Sequence, residues 1–280
     1  MRRLLFVIAF CLVCTVATAQ NLWVCSSNGK VEINSGAGWK VPVEFQKLSP
    51  ADSLRFAPNS SLSILDRKNE RVFSVQRRGV CVVADVVNDA PRQNNKQQKG
   101  LFSYLWDSLR GRTADSEFRG AAGVVYRDND INTALAGAVL RGDNSLPVYF
   151  ELVDAETGRV LEGKAMAGDY ANVLVRNNSS VDLFVNLLDF DCEGSISVCL
   201  PVTSATVLAK LLIPAGVTVL LDSLPILFGE PVGTDTLVLI ACTDPFDPEA
   251  VANSLRDGNA TDREIQAAVV KMKVAVLGRQ

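Results

Sequence analysis

Short runs of apolar residues, each closed by turn-forming residues, recur along most of this sequence and constrain its fold more than any other feature. In the run Ser61 to Leu65, leucine and isoleucine alternate with serine, which is the period of a strand with one dry face. Val181 to Phe190 carries apolar residues on both faces, so we expect this strand to be central in its domain or covered by a helix. Regularly spaced short strands with polar turns predict an all-β protein.

The strands fall into two groups, which predicts two β domains. Residues 20–88 predict a small N-terminal β domain, in which Asn28-Gly29 is the strongest two-residue hairpin signal. Residues 124–280 predict a C-terminal β-sandwich. The segment between them, residues 89–123, begins with a polar stretch of linker composition.

A short amphipathic helix is expected within this linker, at about residues 101–110. Its apolar side chains recur at helical spacing and would share one face: Phe102, Leu105, Trp106 and Leu109. A helix of about ten residues is marginal on its own, so we expect it to dock on a neighbouring sheet. Contact with a membrane surface or a partner is the alternative.

Residues 1–19 have the three regions of a secretory signal peptide. Arg2 and Arg3 supply a positive start, residues 4–16 an apolar stretch, and residues 17–19 (A-T-A) a cleavage site. The apolar stretch is shorter than the roughly 20 residues that a membrane-spanning helix needs. A lipoprotein signal is the alternative, because Cys14 lies inside the segment. We therefore expect an exported protein, periplasmic or extracellular and envelope-associated or free, without a transmembrane span in the mature chain.

The chain of 280 residues contains no histidine, which excludes several classes of chemistry. A Ser-His-Asp triad, a Cys-His dyad and any histidine ligand to a metal are ruled out. The formal net charge is −3 and the basic residues are not clustered, so we expect no nucleic-acid partner. We expect a protein that is not an enzyme, with no catalytic residue, no metal and no cofactor.

Five of the seven cysteines follow the signal segment, and export would bring them into a compartment that allows disulfides. Cys25 and Cys81 lie in the first and last strands of the N-terminal domain, and they are the candidate disulfide pair. Cys192 and Cys199 are close in sequence. On a hairpin, however, Cys199 would lie about 16 Å along its strand from the turn, and a disulfide needs Cα atoms within about 7 Å.

Several motifs resemble known functional sites, but each of them lacks a feature that the corresponding site requires. Ser27 and Lys30 have the S-x-x-K spacing of a serine nucleophile, which needs a helix where this sequence predicts a turn. Three acidic groups suggest calcium loops or acidic turns: Asp189, Asp191 and Glu193; Asp128, Asp130 and Asn132; Asp244, Asp247 and Glu249. The first two groups lack the glutamate at position twelve of a calcium loop, so solvated turns are the favoured interpretation.

The C-terminal part carries an ordered series of strands and turns: LFVNLLDFDCEGSISVCLP, IPAGVTVLL and FGEPVGTDTLVLIACTDPFD. It resembles, over about residues 147–277, an uncharacterised β domain often appended to bacterial caspase-like peptidases and protein kinases. Val202 stands where that family has asparagine. The resemblance implies a β-rich fold without an established active site, and a caspase-like peptidase or signalling protein as a partner.

Residues 22–87 resemble, on the pieces GKVEI, GWKVPVEFQKLSPADSLRF and NSSLSILD, the FecR-like domain of bacterial envelope and signalling proteins. This resemblance implies protein interaction and envelope sensing. Both resemblances favour an exported, non-enzymatic envelope protein that acts by protein interaction or as an accessory. Two alternatives stay open: a glycosidase-like hydrolase that uses carboxylates alone, and a ligand- or glycan-binding module that uses Trp23, Trp39 or Trp106.

Overall fold

Antiparallel strands dominate the protein, and the all-β fold class predicted from the sequence is confirmed. The structure is a computed structural model that describes residues 22–90, Phe102, Leu105 and residues 129–279. Residues 22–90 are called the N-terminal module below, and residues 129–279 the C-terminal module.

The N-terminal module contains two four-stranded sheets that enclose a core. Sheet A has the strand order β4-β1-β6-β7, and sheet B has the order β3-β2-β5-β8. Leu22 and Ile64 from sheet A meet Ile33 and Leu54 from sheet B in this core, because alternate residues of each strand face inward. The elements are β1 (Leu22–Asn28), β2 (Val31–Asn34), β3 (Trp39–Lys40), β4 (Lys47–Leu48), β5 (Ser53–Phe56), β6 (Ser61–Asp66), β7 (Arg71–Val75), β8 (Gly79–Val82) and α1 (Val83–Asp89).

Asn28-Gly29 forms a turn, but the hairpin expected around it is wrong. β1 pairs with β4 and β6 in sheet A, whereas β2 pairs with β3 and β5 in sheet B. The turn therefore carries the chain from one sheet to the other. Gly29 has a φ of +67°, and a Cβ atom there would lie 2.7 Å from the Cβ of Ser60. Ser27 lies on β1 and Lys30 in the turn, so the S-x-x-K motif is not on a helix.

β6 differs from the predicted strand with one dry face, because all six of its residues are buried. Leu62 and Ile64 face the core of the N-terminal module. Ser61 and Ser63 lie on the opposite face and are buried as well. The C-terminal module covers that face. The serines at alternate positions suggest a solvent-exposed face, but in this protein the face forms an interface between the modules.

The C-terminal module is a β-sandwich of two sheets. Sheet C has the order β10-β17-β16-β12-β13, with β14 also paired to β12, and sheet D has the order β15-β11-β9. Val173 and Val219 of sheet D pack against Leu239 and Val274 of sheet C. The elements are α2 (Asn129–Arg141), β9 (Val148–Asp154), β10 (Lys164–Met166), β11 (Tyr170–Asn177), β12 (Leu183–Phe190), β13 (Ile196–Val198), α3 (Ala205–Lys210), β14 (Leu212–Ile213), β15 (Thr218–Leu227), β16 (Gly233–Cys242), α4 (Pro248–Arg256) and β17 (Ala267–Leu277).

Helical residues cover the outer face of sheet C. Phe102 and Leu105 are helical and buried, in one cluster with Phe184 and Leu188 of β12. Residues of α2 and α4 belong to the same cluster. Both faces of β12 are therefore dry, as its apolar pattern predicts. Trp106 and Leu109 of the expected docking helix lie outside the described residues.

Candidate binding cleft between the two modules

A cleft of about 600 Å³ lies where the two modules meet, and we call it the inter-module cleft. One wall comes from the N-terminal module: residues 56–59, at the end of β5 and in the following turn, and residues 76–79, which follow β7 and include the first residue of β8. The other wall is residues 216–218, at the start of β15. The cleft therefore exists only while the modules are held together.

Hydrogen bonds across the modules fix both walls. The Asn28 Nδ2 group donates to the Lys210 main-chain oxygen at 2.7 Å, and the Gly29 N–H donates to the Asp222 carboxylate at 3.1 Å. The Leu220 N–H donates to the main-chain oxygen of Asn59 at 2.9 Å, directly beside the cleft. Apolar packing of Cys25, Leu65 and Val72 against the C-terminal module supports these bonds. We call this interface the joint.

The described lining of the inter-module cleft contains two arginines and no acidic residue. Arg77 forms an ion pair with Asp89 at the end of α1. Arg78 is exposed and has no ion pair in the described part of the chain. Asn59, Gln76 and Thr218 add neutral polar groups. A site of this composition favours groups that are negatively charged or accept hydrogen bonds.

A smaller pocket of about 280 Å³ shares Gln76, Arg77 and Val217 with the inter-module cleft. It is also lined by Ser74 and Asp182. Ser74 is only 3% exposed, and its hydroxyl has no hydrogen-bond partner in the described structure. Burial raises the pKa of Asp182 to about 6, and the Ala215 N–H, which donates to its Oδ1 at 2.9 Å, opposes that rise. The joint thus contains a carboxyl group that changes its charge near pH 6.

The expected disulfide between Cys25 and Cys81 is not formed, and both thiols are free. Alternation along β1 places Cys25 on the face opposite to Val24, so Cys25 packs in the joint. Cys81 instead packs against the core of the N-terminal module. Burial raises the pKa of both thiols above the ordinary value, and the rise is larger for Cys25. Neither thiol is therefore an activated nucleophile.

The acidic groups noted in the sequence serve turns and helix ends. Asp191 accepts hydrogen bonds from the Glu193 and Ser195 N–H groups. Asp247 caps α4 by accepting from the Glu249 and Ala250 N–H groups. Asn132 accepts from the Asp247 N–H, Asp130 lies in the first turn of α2, and Asp128 lies outside the described residues. No group of three metal-ligating side chains was found among the described residues.

Asp189 and Asp235 lie near each other at one end of sheet C. Burial, followed by the charges of Asp235 and Asp191, raises the pKa of Asp189 to about 6. The Oδ1 atom of Asp189 is buried and has no hydrogen-bond partner in the described structure. Asp235 accepts the Cys192 N–H at 3.1 Å. These carboxylates line neither the inter-module cleft nor the smaller pocket.

In the described part of the chain, no helix combines the length and the apolar character needed to cross a membrane. No protein-family model matches the chain. A search of curated proteins found no match either.

Proposed function

We propose that this chain is an exported, non-enzymatic protein of the bacterial envelope that binds a protein partner in the inter-module cleft. The observation that carries the proposal is the composition of the cleft. Two arginines, three neutral polar side chains and exposed main chain line a volume of about 600 Å³, which lies within the usual range of ligand sites.

A protein segment fits this lining better than a small apolar molecule does. Small-molecule pockets are lined mainly by apolar and aromatic side chains. The described lining here contains a single aromatic residue, Phe56, together with main chain at Gly79 and Gly216. Main-chain groups and arginines recognise the amides and carboxylates of a polypeptide.

The chemistry of the described side chains supports a non-enzymatic role. The chain has no histidine to act as a general base near neutral pH. Asp191 and Asp247 are committed to turn and helix-end hydrogen bonds. Burial raises the pKa of the Cys199 and Cys242 thiols, which disfavours the thiolate. From the resemblances described above, we propose a caspase-like peptidase or a signalling protein, encoded separately, as the partner.

Site-specific photocrosslinking in the producing cell tests the proposal. A photoreactive residue replaces Thr218 in the cleft or, as a matched control, Glu156. Glu156 is exposed in the turn after β9, at the opposite end of sheet D, because Thr218 pairs with Arg176 while Asp154 pairs with Ala171. We expect a specific crosslinked protein from position 218 and none from position 156. Equal crosslinking from both positions, or none from position 218, would contradict the proposal.

A further inference from the structure

β8 forms one edge of sheet B, and its outer side is unpaired in the described part of the chain. Its inner side pairs with β5, with Cys81 opposite Leu54 and Val82 opposite Ser53. An open edge presents main-chain N–H and C=O groups to any extended chain that approaches it.

The register shows which groups of β8 are open. The Val83 N–H donates to the Asp52 main-chain oxygen at 3.0 Å, just beyond the end of the strand. Because neighbouring residues of an antiparallel strand alternate in direction, Cys81 bonds to β5 as Val83 does, while the N–H and C=O of Val80 and the N–H of Val82 face outward. The Val82 C=O is committed to α1, because Val82 is the N-cap of that helix. No described strand pairs with β8 on that side.

The side chains beside this edge are apolar and exposed. Val80 is 59% exposed and Val82 is 37% exposed, on the outer face of sheet B. Arg55 is paired with Val80 across the sheet, and its guanidinium lies 4.4 Å from the ring centroid of Trp39. A lysine, a proline or an inward charge often blunts an edge strand, and β8, although only four residues long, has none of these in its sequence GVCV. The valines therefore offer contact area to an added strand.

The start of β8 lies in the inter-module cleft. Arg78 and Gly79 line the cleft, and Val80 follows directly along the strand. A chain that pairs with β8 would consequently place one of its ends beside Arg78 and Arg77. The described lining of the cleft contains no acidic residue that could compete for these guanidinium groups, although Asp89 already binds Arg77 from outside the lining. An acidic side chain at that end complements the charge of Arg78.

From the edge and the cleft together, we propose that the partner is an extended, acidic protein segment that adds a strand to β8 and places a carboxylate beside Arg78. The inference rests on the proposed function and specifies the class of partner. Main-chain hydrogen bonds to Val80 and Val82 supply affinity, and alternate apolar side chains of the segment pack on the two valines. Arg78 sets the preference for acidic sequences.

Two synthetic peptides test the inference against the full mature chain. Both consist of alternating valine and serine; one carries a pair of aspartates at each end and the other a pair of lysines. We expect the acidic peptide to bind more tightly by about tenfold or more, and Arg78→Glu to abolish that preference. Hydrogen exchange should show new protection of the Val80 and Val82 amides. Equal affinity for both peptides, or protection that omits these two amides, would overturn the inference.

Proline substitution separates strand addition from contact with side chains. Val80→Pro removes an N–H that faces away from β5, as edge strands tolerate, and should weaken the acidic peptide by about tenfold. Val80→Thr keeps the N–H and serves as the control, with affinity close to that of the unmodified chain. A proline variant that stays folded and binds normally would overturn the inference.

The oligomeric state provides a further check, by sedimentation without peptide. A dimer that already protects the Val80 and Val82 amides would assign the edge to a second copy of the chain and overturn the inference. Crosslinking from position 218 reports on the proposed function alone. A positive crosslink with a negative peptide result would therefore reject strand addition and retain the cleft as a binding site.

Discussion

The Ser63 hydroxyl, in the middle of β6, donates a hydrogen bond of 2.8 Å to the main-chain oxygen of Ala209 in the last turn of α3. Oxygens in the last turn of a helix lack a partner within the helix, so a side chain from the N-terminal module completes an element of the other module. The Asn28 side chain does the same for Lys210, one residue further along. The joint is thus part of the hydrogen bonding of α3.

We expect Ser63→Ala to lower the free energy of unfolding by about 1–3 kcal/mol, since the Ala209 oxygen would stay buried without this donor. Urea unfolding followed by tryptophan fluorescence measures the change. Ser197→Ala is the control, because Ser197 is exposed on β13. A loss no larger than that of the control would show that water replaces the serine at the joint.

Gly29→Ala should destabilise the protein by about 2–4 kcal/mol. The substitution combines a left-handed backbone with a clash, since the new Cβ would lie 2.7 Å from the Cβ of Ser60. Gly36→Ala is the matched control, because Gly36 has a φ of +94° and open space around it. The control should cost about 1–2 kcal/mol, from the backbone alone. Equal losses of unfolding free energy from the two variants would show that the clash with Ser60 contributes nothing.

The pH dependence of stability should report the ionisation of the Asp182 carboxyl group. Its pKa is about 6 in the folded protein and about 3.8 in the unfolded chain. Between these values the folded state holds a proton that the unfolded state has lost, so this group contributes stability at about pH 4 that disappears as the pH rises through about 6. The loss is of the order of 3 kcal/mol for a shift of about two units.

Asp182→Asn isolates this contribution, because asparagine keeps an oxygen for the Ala215 N–H and cannot ionise. The variant should be more stable than the unmodified chain at about pH 8 and should approach it at about pH 4. The exposed Asp257 provides the control, as Asp257→Asn. A difference of the same size at both pH values would mean that Asp182 is ionised throughout.

Thiol labelling should follow the burial of the cysteines. Cys192 is exposed, whereas Cys25 and Cys242 are buried, so iodoacetamide should label Cys192 first in the native protein. Under denaturing conditions without reductant, all five cysteines of the described residues should be labelled, as mass spectrometry of their peptides can show. Labelling of fewer than five cysteines would show that a disulfide is present. Cys25 and Cys81 would then be the first candidate pair.

The strands could be predicted where alternation is regular. Leu54 and Phe56 alternate with Ser53 and Arg55, which predicts a strand over these four residues, and β5 runs from Ser53 to Phe56. The apolar run from Val80 to Val87 predicts a single strand, and this prediction is wrong in its second half, because α1 begins at Val83. Val83, Val86 and Val87 are buried at helical spacing, and β-branched residues gave no warning of a helix.

The amino-acid sequence carries signals that predict the helices covering sheet C. Ile131, Leu135 and Val139 recur at helical spacing in α2. Asp247 followed by Pro248 is a helix start, although it was interpreted as an acidic turn.

The inter-module cleft could not be predicted from the sequence. Its walls, residues 76–79 and 216–218, lie about 140 positions apart, and no local pattern brings them together. In the sequence, Gln76-Arg77-Arg78 is a basic motif too short to indicate a nucleic-acid site. The position of the cleft depends on the joint, where Ser61 and Ser63 are covered by another module, and a covered polar face cannot be distinguished in sequence from a hydrated one.

The serine face of β6 also matters while the chain is being made. The N-terminal module emerges from the ribosome well before α3, so Ser61 and Ser63 meet water until the C-terminal module arrives. Water hydrates the hydroxyl groups in that interval. Valines at the same positions would form an exposed apolar patch, which is prone to aggregation, on the incomplete chain. At these two positions the joint thus uses side chains that water can hydrate before the C-terminal module has been made.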